Sequence, residues 1–442
     1  MDVNTALKGA VFNSARDLLN LRYFQGCQRV KLLGLSSPPE LKHLQTIANI
    51  PRSFINAIIE RQDVRSLRRF GAEKADPWLL DVYRASGLAR ELALFRQDKL
   101  VFGRAFLAVS ANPDDNDFPL IDAISPLQMH VKIDYARRQI ARAVRFSRFE
   151  MQEFVTIWEP NATIYAVREK SAWREVRRDE HNLGRVPIVM DLNRQMSGVW
   201  AGETEMVDVI PLTDGMARSL TNMDVAQETL AVPARAAAGI SKGDFVDIDG
   251  KPLPIWEAYY GAIWATENKD AKFHQFAAAD LGNFHETVRL YGSLLSAVTG
   301  LPPRYFGLFT TNPPAENTIK GEESRLIRLV ERKNSEEGIA LGWALGIAER
   351  LATGDWPRGN RILVDYHDPA TPTFSQKADA LQKLAGGVPI ISRQGAWDEL
   401  GWSEARKDQE REYFREESSE GFLGLLEAKE GLVNESSTGD TI

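Results

Sequence analysis

The sequence is poor in cysteine, with Cys27 as the only one among 442 residues. A single thiol excludes an internal disulfide and a zinc site built from cysteines, and it fits a reducing compartment. Long apolar runs are also missing: no stretch of about 18 apolar residues exists that could span a membrane. The start, MDVNTALKGAVF, lacks the charged and apolar regions of a signal peptide. We therefore expect neither a membrane span nor a signal peptide.

An excess of positive charge is missing as well, since the formal net charge is −7. Proteins that grip duplex DNA by its phosphates are usually basic, with Lys and Arg gathered on one face. The net negative charge argues against tight non-specific DNA binding, although it is compatible with weak contact between the protein and DNA.

The familiar catalytic motifs are absent. The sequence contains no G-x-x-x-x-G-K-[ST] phosphate loop, no G-x-S-x-G elbow and no H-E-x-x-H helix. Asp365, His367 and Asp368 bring two acids and an imidazole together near a strand end, where they could bind a metal or raise the pKa of the histidine. A solvated or hydrogen-bonded cluster at a strand end is the favoured interpretation, so we expect no catalytic residue, metal or cofactor. A metal-dependent hydrolase or nuclease is the competing hypothesis.

The residues that are present indicate about three folding units, at roughly 150 residues per domain. Apolar spacing predicts helices in the first hundred residues, through Leu7 to Leu19, from about Arg52 to Arg68 and from about Pro77 to Leu100. Four basic residues fall near the end of the second helix: Arg61, Arg65, Arg68 and Arg69. We interpret them as contacts to the helix C-terminus and to solvent, with a nucleic-acid patch as the alternative.

Short β-rich runs follow, separated by turn residues, and they predict an antiparallel meander. Its predicted strands are Phe106–Val109, Leu120–Ile124, Met129–Ile133, Ile140–Phe146, Phe154–Trp158 and Thr163–Val167, with Val186–Met190 as a candidate last strand.

Two helices then flank an aromatic insert. Apolar spacing predicts a helix over Gly202–Ala231, and a second carries a heptad-like seam from Leu281 to Val298 that ends at the C-cap candidate Gly300. The seam fits either an ordinary core or packing against neighbouring subunits. Residues 232–279 between these helices are rich in Trp, Tyr and Phe and predict a small β-rich module.

A long helix is predicted from a cap at Asn312, with Pro313 in its first position, to about Thr353. At 1.5 Å per residue it would extend ~60 Å, which indicates an elongated subunit. A strand over Arg361–Tyr366 and short helical segments complete the chain.

Five sequence blocks, in this order, carry a resemblance. They are HNLGRVPIVMDLNR (His181–Arg194), GETEMVDVIPLTDGMARSLTNMDVAQETLAVPARAAAG (Gly202–Gly239), FAAADLGNFHETVRLYGSLLSAVTGLPPRYFG (Phe276–Gly307), NPPAE (Asn312–Glu316) and DPATPTFSQKADAL (Asp368–Leu381). From about Leu7 to Trp402 the chain resembles the portal proteins of siphophages related to Bacillus phage SPP1.

The resemblance implies an α+β portal fold with a wing of helices and an antiparallel β meander, a two-helix stem, a small β-rich clip, a long wing helix and a small helical crown. The implied divisions are 1–201 for the first part of the wing, 202–232 and 280–301 for the stem helices, 233–279 for the clip, 302–317 for the tunnel loop, 318–368 for the long wing helix and strand, and 369–442 for the crown and tail.

The resemblance also implies a function, namely a twelve-subunit ring at one capsid vertex through which double-stranded DNA is packaged and ejected. The implied partners are further copies of the chain, terminase, a head-completion connector protein, and the major capsid and scaffold proteins, with no membrane. The protein would reside in the virion, and in the host cytoplasm during assembly. A minor head protein or adaptor is the alternative virion part.

Two sets of residues are candidates for contact with partners. The DNA-facing tunnel loop would include Phe306, Phe309, Thr310, Thr311 and Asn312. The clip partner surface would include Trp256, Tyr259, Tyr260 and Trp264, because Trp and Tyr are enriched at interface anchors. The alternatives are that the first set packs the junction of wing and stem, and that the second forms the core of the clip.

Overall fold

The computed structural model describes residues 3–30, 45–115, 117–170, 172–230, 235–238, 272–275, 281–308, 316–357, 362–370, 381–385, 389–402 and 406–416. The chain divides into two compact units, Met1–Pro369 and Ala370–Ile442. Helices and antiparallel sheets alternate in the first unit, which confirms the predicted α+β class. No helix among these residues is long and apolar enough to cross a membrane.

Three helices open the first unit: α1 (Val3–Leu7), α2 (Ala15–Gln25) and α3 (Ile50–Ile59). The Ser14 hydroxyl accepts a hydrogen bond from the Asp17 N–H and so begins α2, which interrupts the helical run predicted through Leu7 and Leu19. The exposed Val11 lies in the gap between α1 and α2. That part of the prediction is therefore wrong.

The second predicted helix is also too long, because α3 ends at Ile59 and strand β1 (Val64–Arg69) follows. β1 pairs antiparallel with β12 (Ile362–Tyr366), about 300 residues away in the sequence. The spacing of apolar residues within a short segment carries no information about such a distant strand partner, which explains the error.

The basic residues around β1 form ion pairs instead of capping a helix. Arg68 Nε lies 2.7 Å from Asp365 Oδ2, and Arg69 bridges Asp76 and Glu349 at 2.6 and 2.9 Å. Our interpretation of helix C-terminal contacts was wrong for these residues. Because Arg68 and Arg69 are paired with acids, they offer little free positive charge for the alternative, a nucleic-acid patch.

The third predicted helix is two helices, α4 (Pro77–Ala85) and α5 (Leu88–Phe102). Gly87 separates them with a φ of 59°, a left-handed conformation that favours glycine. Asp76 begins α4 by accepting a hydrogen bond from the Leu79 N–H.

The strands between Arg104 and Leu192 form two sheets rather than one meander. A three-stranded sheet has the order β3 (Leu120–Ile124), β2 (Arg104–Ser110), β9 (Ile188–Leu192). The other is a true antiparallel meander of five strands in sequence order: β4 (Met129–Asp134), β5 (Gln139–Phe149), β6 (Gln152–Trp158), β7 (Ala162–Glu169) and β8 (Ala172–Glu180).

The meander prediction is thus confirmed for its middle strands and wrong at both ends. The run Val186–Met190 contributes to β9, which pairs with β2. β8 was missed because its sequence, AWREVRRDE, is charged and mostly exposed, so it lacks the apolar alternation by which a strand is recognised.

Two helices then follow, α6 (Val209–Leu230) and α7 (Gly282–Thr299). Between them β10 (Arg235–Ala238) pairs antiparallel with β11 (Lys272–Gln275). Gly300 ends α7 with a φ of 73°, which confirms the predicted C-cap.

A 3₁₀ turn (Pro303–Phe306) and the 38-residue helix α8 (Glu316–Thr353) complete the sequence of elements before β12. The predicted end of α8 at Thr353 is confirmed. Its predicted cap, Asn312 with Pro313, lies outside the described residues.

α8 joins two apolar cores. In its second half Leu341, Ala344 and Leu345 pack with β2, α4 and α5. In its first half Leu326 and Val330 pack with α3, α6 and α7. Of the other two cores, one lies around β2 and β4–β6, and the other lies between α1 and the meander.

The second unit contains a helix over Arg393–Glu399 and helical residues at 381–385 and 406–416. Its aromatic core is a stack in which the Trp397 ring lies 5.9 Å from that of Trp402 and 6.0 Å from that of Phe414.

Candidate functional site

The helix pair α6–α7 is held together at a glycine. A Cβ added to Gly215 of α6 would lie 2.6 Å from the Tyr291 ring of α7, so only glycine permits this approach. Val288, Tyr291 and Leu295 of the predicted seam pack in the same apolar cluster as Met216. These three seam residues therefore belong to an ordinary core within one chain.

The start of α6 is fixed by a buried ionic group. Lys333 of α8 places its Nζ 2.9 Å from Glu205 Oε2, and the Asn193 amide donates to the same oxygen at 2.9 Å. Burial opposes ionisation of Glu205, but the Lys333 charge and the two hydrogen bonds outweigh it and lower the pKa of this carboxyl. The group ties α8 to the segment that leads into α6.

A second set of buried charges ties α8 to its other neighbours. Lys99 of α5 lies between Asp191 of β9, at 2.7 Å, and Glu336, at 3.1 Å. Arg96 makes two hydrogen bonds of 2.8 Å to Glu337.

The Tyr366 hydroxyl of β12 donates to the same Glu337 at 3.0 Å. Burial, followed by the charge of Glu337, raises the pKa of this tyrosine. Because each of these groups has its partner, the position of α8 relative to α5, β9 and β12 is strongly specified.

The turn after α7 is attached to α8 and to Arg61, which lies just after the end of α3. Arg304 pairs with Glu323, and Glu323 also lies 3.3 Å from Arg61. Arg61 in turn donates to the Tyr305 hydroxyl at 3.2 Å. Phe306 packs partly buried against the cluster that joins α6, α7 and α8.

In the acid–histidine cluster, the described contacts of Asp365 are structural. Asp365 accepts hydrogen bonds from Arg68 and from the Ser66 hydroxyl at 2.9 Å, and the Arg68 bond lowers the pKa of this carboxyl. Within the described ranges, no three His, Cys, Asp or Glu side chains come together to hold a metal ion. The hydrolase hypothesis therefore gains no support from the structure.

Comparison with known proteins identifies the family. The model of the phage portal protein family, SPP1 Gp6-like, matches residues 19–421. The chain belongs to this family. It is similar to the portal protein of Mycobacterium phage D29, with 34% identity over 92% of this chain and 86% of that protein. The portal protein of Mycobacterium phage L5 is 33% identical over 96% and 90% of the two chains.

Solved structures agree on the fold. A chain from the neck of an empty gene transfer agent particle, computed with C6 symmetry, has a TM-score of 0.52 at 14% identity. A chain from the virion of a native particle has a TM-score of 0.50 at 15% identity. Each comparison covers 91% of this chain and 98% of the other. The chain is thus a portal protein of a tailed phage and a structural part of the virion.

The predicted partner-contact residues of this portal protein are only partly described. Phe306 packs at the base of the helix pair, and its contact with DNA stays a prediction. Phe309, Thr310, Thr311 and Asn312 lie outside the described residues, and so do the clip candidates Trp256, Tyr259, Tyr260 and Trp264.

Sequence reasoning missed the buried ionic groups of the portal helix α8. A usable signal exists, because Val330, Lys333, Glu337 and Leu341 recur at intervals of three and four on one helix face. Charged residues at positions that otherwise belong to an apolar face indicate buried, paired charges.

Proposed function

We propose that this portal protein closes into a ring around a channel for double-stranded DNA, with α6 and α7 as the stem. The observation that carries the proposal is the helix pair and its attachment. The chain leaves along α6 and returns along α7, because β10 after the first helix pairs antiparallel with β11 before the second. β10 follows the end of α6 in the sequence and β11 precedes the start of α7, and we assign the segment from 233 to 279 that contains both strands to the clip.

The base of this helix pair is rigidly held, which suits a channel wall. Glu205 and Lys333 fix the start of α6, and Gly300 with the Arg304–Glu323 pair fixes the end of α7. A stem that is anchored at one end by buried charges can transmit force from a motor without losing its register. We assign the surrounding helices and sheets to the wing and the residues from 369 onward to the crown.

The net negative charge supports a channel through which DNA slides rather than a site that binds DNA tightly. Any side chain that faces the axis of a ring recurs once per subunit, so a single exposed lysine becomes a belt of positive charge. Each neutralised phosphate would strengthen binding and slow the passage of DNA. The net charge of −7 avoids such adhesion.

We further infer that the protein has no catalytic activity of its own. A separate terminase ATPase would dock at the clip during assembly in the host cytoplasm, and a head-completion connector would replace it afterwards. Capsid and scaffold proteins would contact the wing. The absence of a phosphate loop from the sequence supports this division of labour.

The proposal is tested by the assembly state of the purified full-length chain. We expect mass photometry and negative-stain images to show a closed ring of about twelve copies, with or without co-expressed scaffold protein. A monomer or dimer under every condition, scaffold included, contradicts the proposal.

A further inference from the structure

A cavity of about 380 Å³ opens beside the base of the helix pair. Its floor is apolar, with Phe54, Val209 and Leu329, and four arginines line its walls. These are Arg194, Arg325, Arg328 and Arg332. The acids in the lining are Glu205 and Asp208.

The charges of this arginine cavity do not balance. Asp208 forms an ion pair with Arg194 at 2.9 Å, and Glu205 forms an ion pair with Lys333. Arg325 donates to the Ala297 carbonyl at the end of α7, at 2.8 Å. A carbonyl carries no charge, so Arg325 is held in place without being neutralised, and two further arginines remain.

These two are Arg328 and Arg332, which are exposed and spaced i,i+4 on α8. Neither has a hydrogen bond or ion pair to any residue that the structure describes. Like charges at this spacing repel each other. The cavity therefore presents positive charge that the described part of this chain does not neutralise.

An exposed apolar row leads along α7 into the same cavity. Leu290, Leu294 and Val298 are spaced i,i+4,i+8, and their exposed fractions are 59%, 41% and 41%. Val298 also lines the cavity. The row and the cavity form one continuous surface on α7 and α8, apolar at one end and positively charged at the other.

We propose that this surface binds a second copy of the chain, through carboxylates that enter the arginine cavity and apolar side chains that cover the Leu290–Leu294–Val298 row. The inference rests on the proposed ring. A ring needs a head-to-tail interface in which different patches of identical subunits complement each other. The chain carries 61 acidic and 54 basic residues, so a second copy offers a surplus of carboxylates.

DNA fits this surface less well. The cavity is concave and has an apolar floor, which suits protein side chains better than a phosphate backbone. The sugar–phosphate backbone also offers nothing to cover two exposed leucines. Unpaired arginines that faced the DNA would form an adhesive belt in a ring. A carboxylate from a neighbouring copy removes that charge.

The first test compares ring formation among surface variants of the full-length protein. We expect Arg328→Glu with Arg332→Glu, and separately Leu290→Ser with Leu294→Ser, to lower the fraction of rings at least tenfold at equal concentration. The melting temperature of the unassembled chain should stay unchanged, because these side chains are exposed. The matched controls, Arg84→Glu with Arg137→Glu and Met151→Ser, alter other highly exposed positions and should assemble normally.

A second test identifies the occupant directly. Arg328→Lys, mixed as isotopically light and heavy copies, is treated with a carbodiimide that couples amines to nearby carboxylates. Cross-linked peptides from residue 328 that combine light and heavy halves support the proposal. Pairs of one label only overturn it in favour of a segment of the same chain. Normal rings with weakened duplex binding in the charge-reversed variant overturn it in favour of DNA.

The two proposals fail in different ways. If the wild-type chain never forms rings, the ring itself is contradicted, while mixed-label cross-links at high concentration still support pairing through this surface. If rings form and neither surface variant reduces them, the ring stands and the assignment of this surface is overturned.

Discussion

At the scale of single residues, the most consequential side chain is Lys333, which is 2% exposed and holds Glu205 and Asn193 at the start of α6. Lys333→Met leaves the buried Glu205 carboxylate without its nearest counter-charge, because the remaining cation, Arg194, lies 3.8 Å away and also pairs with Asp208. We expect the free energy of unfolding to fall by about 3–5 kcal/mol in urea denaturation.

Arg289→Met is the matched control for Lys333→Met, because Arg289 and its partner Glu286 are 70% and 74% exposed. Loss of such a surface pair should cost at most about 1 kcal/mol. Adding Glu205→Met to Lys333→Met should restore part of the lost stability. Equal effects of Lys333→Met and Arg289→Met would contradict the account of a buried ionic anchor.

Asp98 of α5 should make stability depend on pH. Burial raises the pKa of its carboxyl from 3.8 to about 7. Between these pH values the folded chain binds a proton that the unfolded chain has released. The contribution of Asp98 to the free energy of unfolding is therefore fully present below about pH 4 and is lost as the pH rises to 7.

The Asp98→Asn side chain cannot ionise, so the variant does not lose stability at this position as the pH rises. We expect the variant to gain stability relative to the wild type on going from pH 5 to pH 8, by on the order of 2–4 kcal/mol. Thermal melts of both proteins at the two pH values measure the difference. A gain of the same size at both pH values would show that Asp98 does not titrate in this range.

At the scale of helices and strands, the sequence predicts elements best where local spacing decides them. The spacing of apolar residues and the turn residues predict α7, its Gly300 cap and the middle strands of the meander. The strand β1 and the pairing of β9 were not predicted because a partner distant in the sequence decides them. The strand β8 was not predicted because both of its faces are polar.

The contact between α6 and α7 yields a prediction at this scale. Gly215→Ala places a methyl group 2.6 Å from the Tyr291 ring, so the two helices must move apart. We expect a loss of about 1–3 kcal/mol in unfolding free energy. Gly321→Ala in α8 is the control, because its new methyl group meets nothing within 4 Å.

The Gly321→Ala control should stabilise the protein by up to about 1 kcal/mol, since alanine favours a helix more than glycine does. A gain in both variants would mean that the helices pack more loosely at Gly215 than the structure indicates. Ring formation by Gly215→Ala at permissive temperature separates effects on stability from effects on assembly.

At the scale of the whole molecule, the family resemblance follows from the order of five sequence blocks, and the comparisons bear it out. The junction that anchors the helix pair did not follow from the sequence. Lys333 on α8 meets Asn193, 140 residues away, and Glu205, and only the tertiary fold brings them together. The arginine cavity arises in the same way, from residues contributed by five separate segments.

A symmetry-averaged electron cryomicroscopy map of the assembled full-length protein tests the central claim most directly. The account predicts a closed ring in which α6 and α7 of every copy surround an axial hole wide enough for a DNA duplex, with Gly215 and Tyr291 in contact within each pair. A ring with a filled axis, or one that carries these two helices on its outer rim, would contradict it.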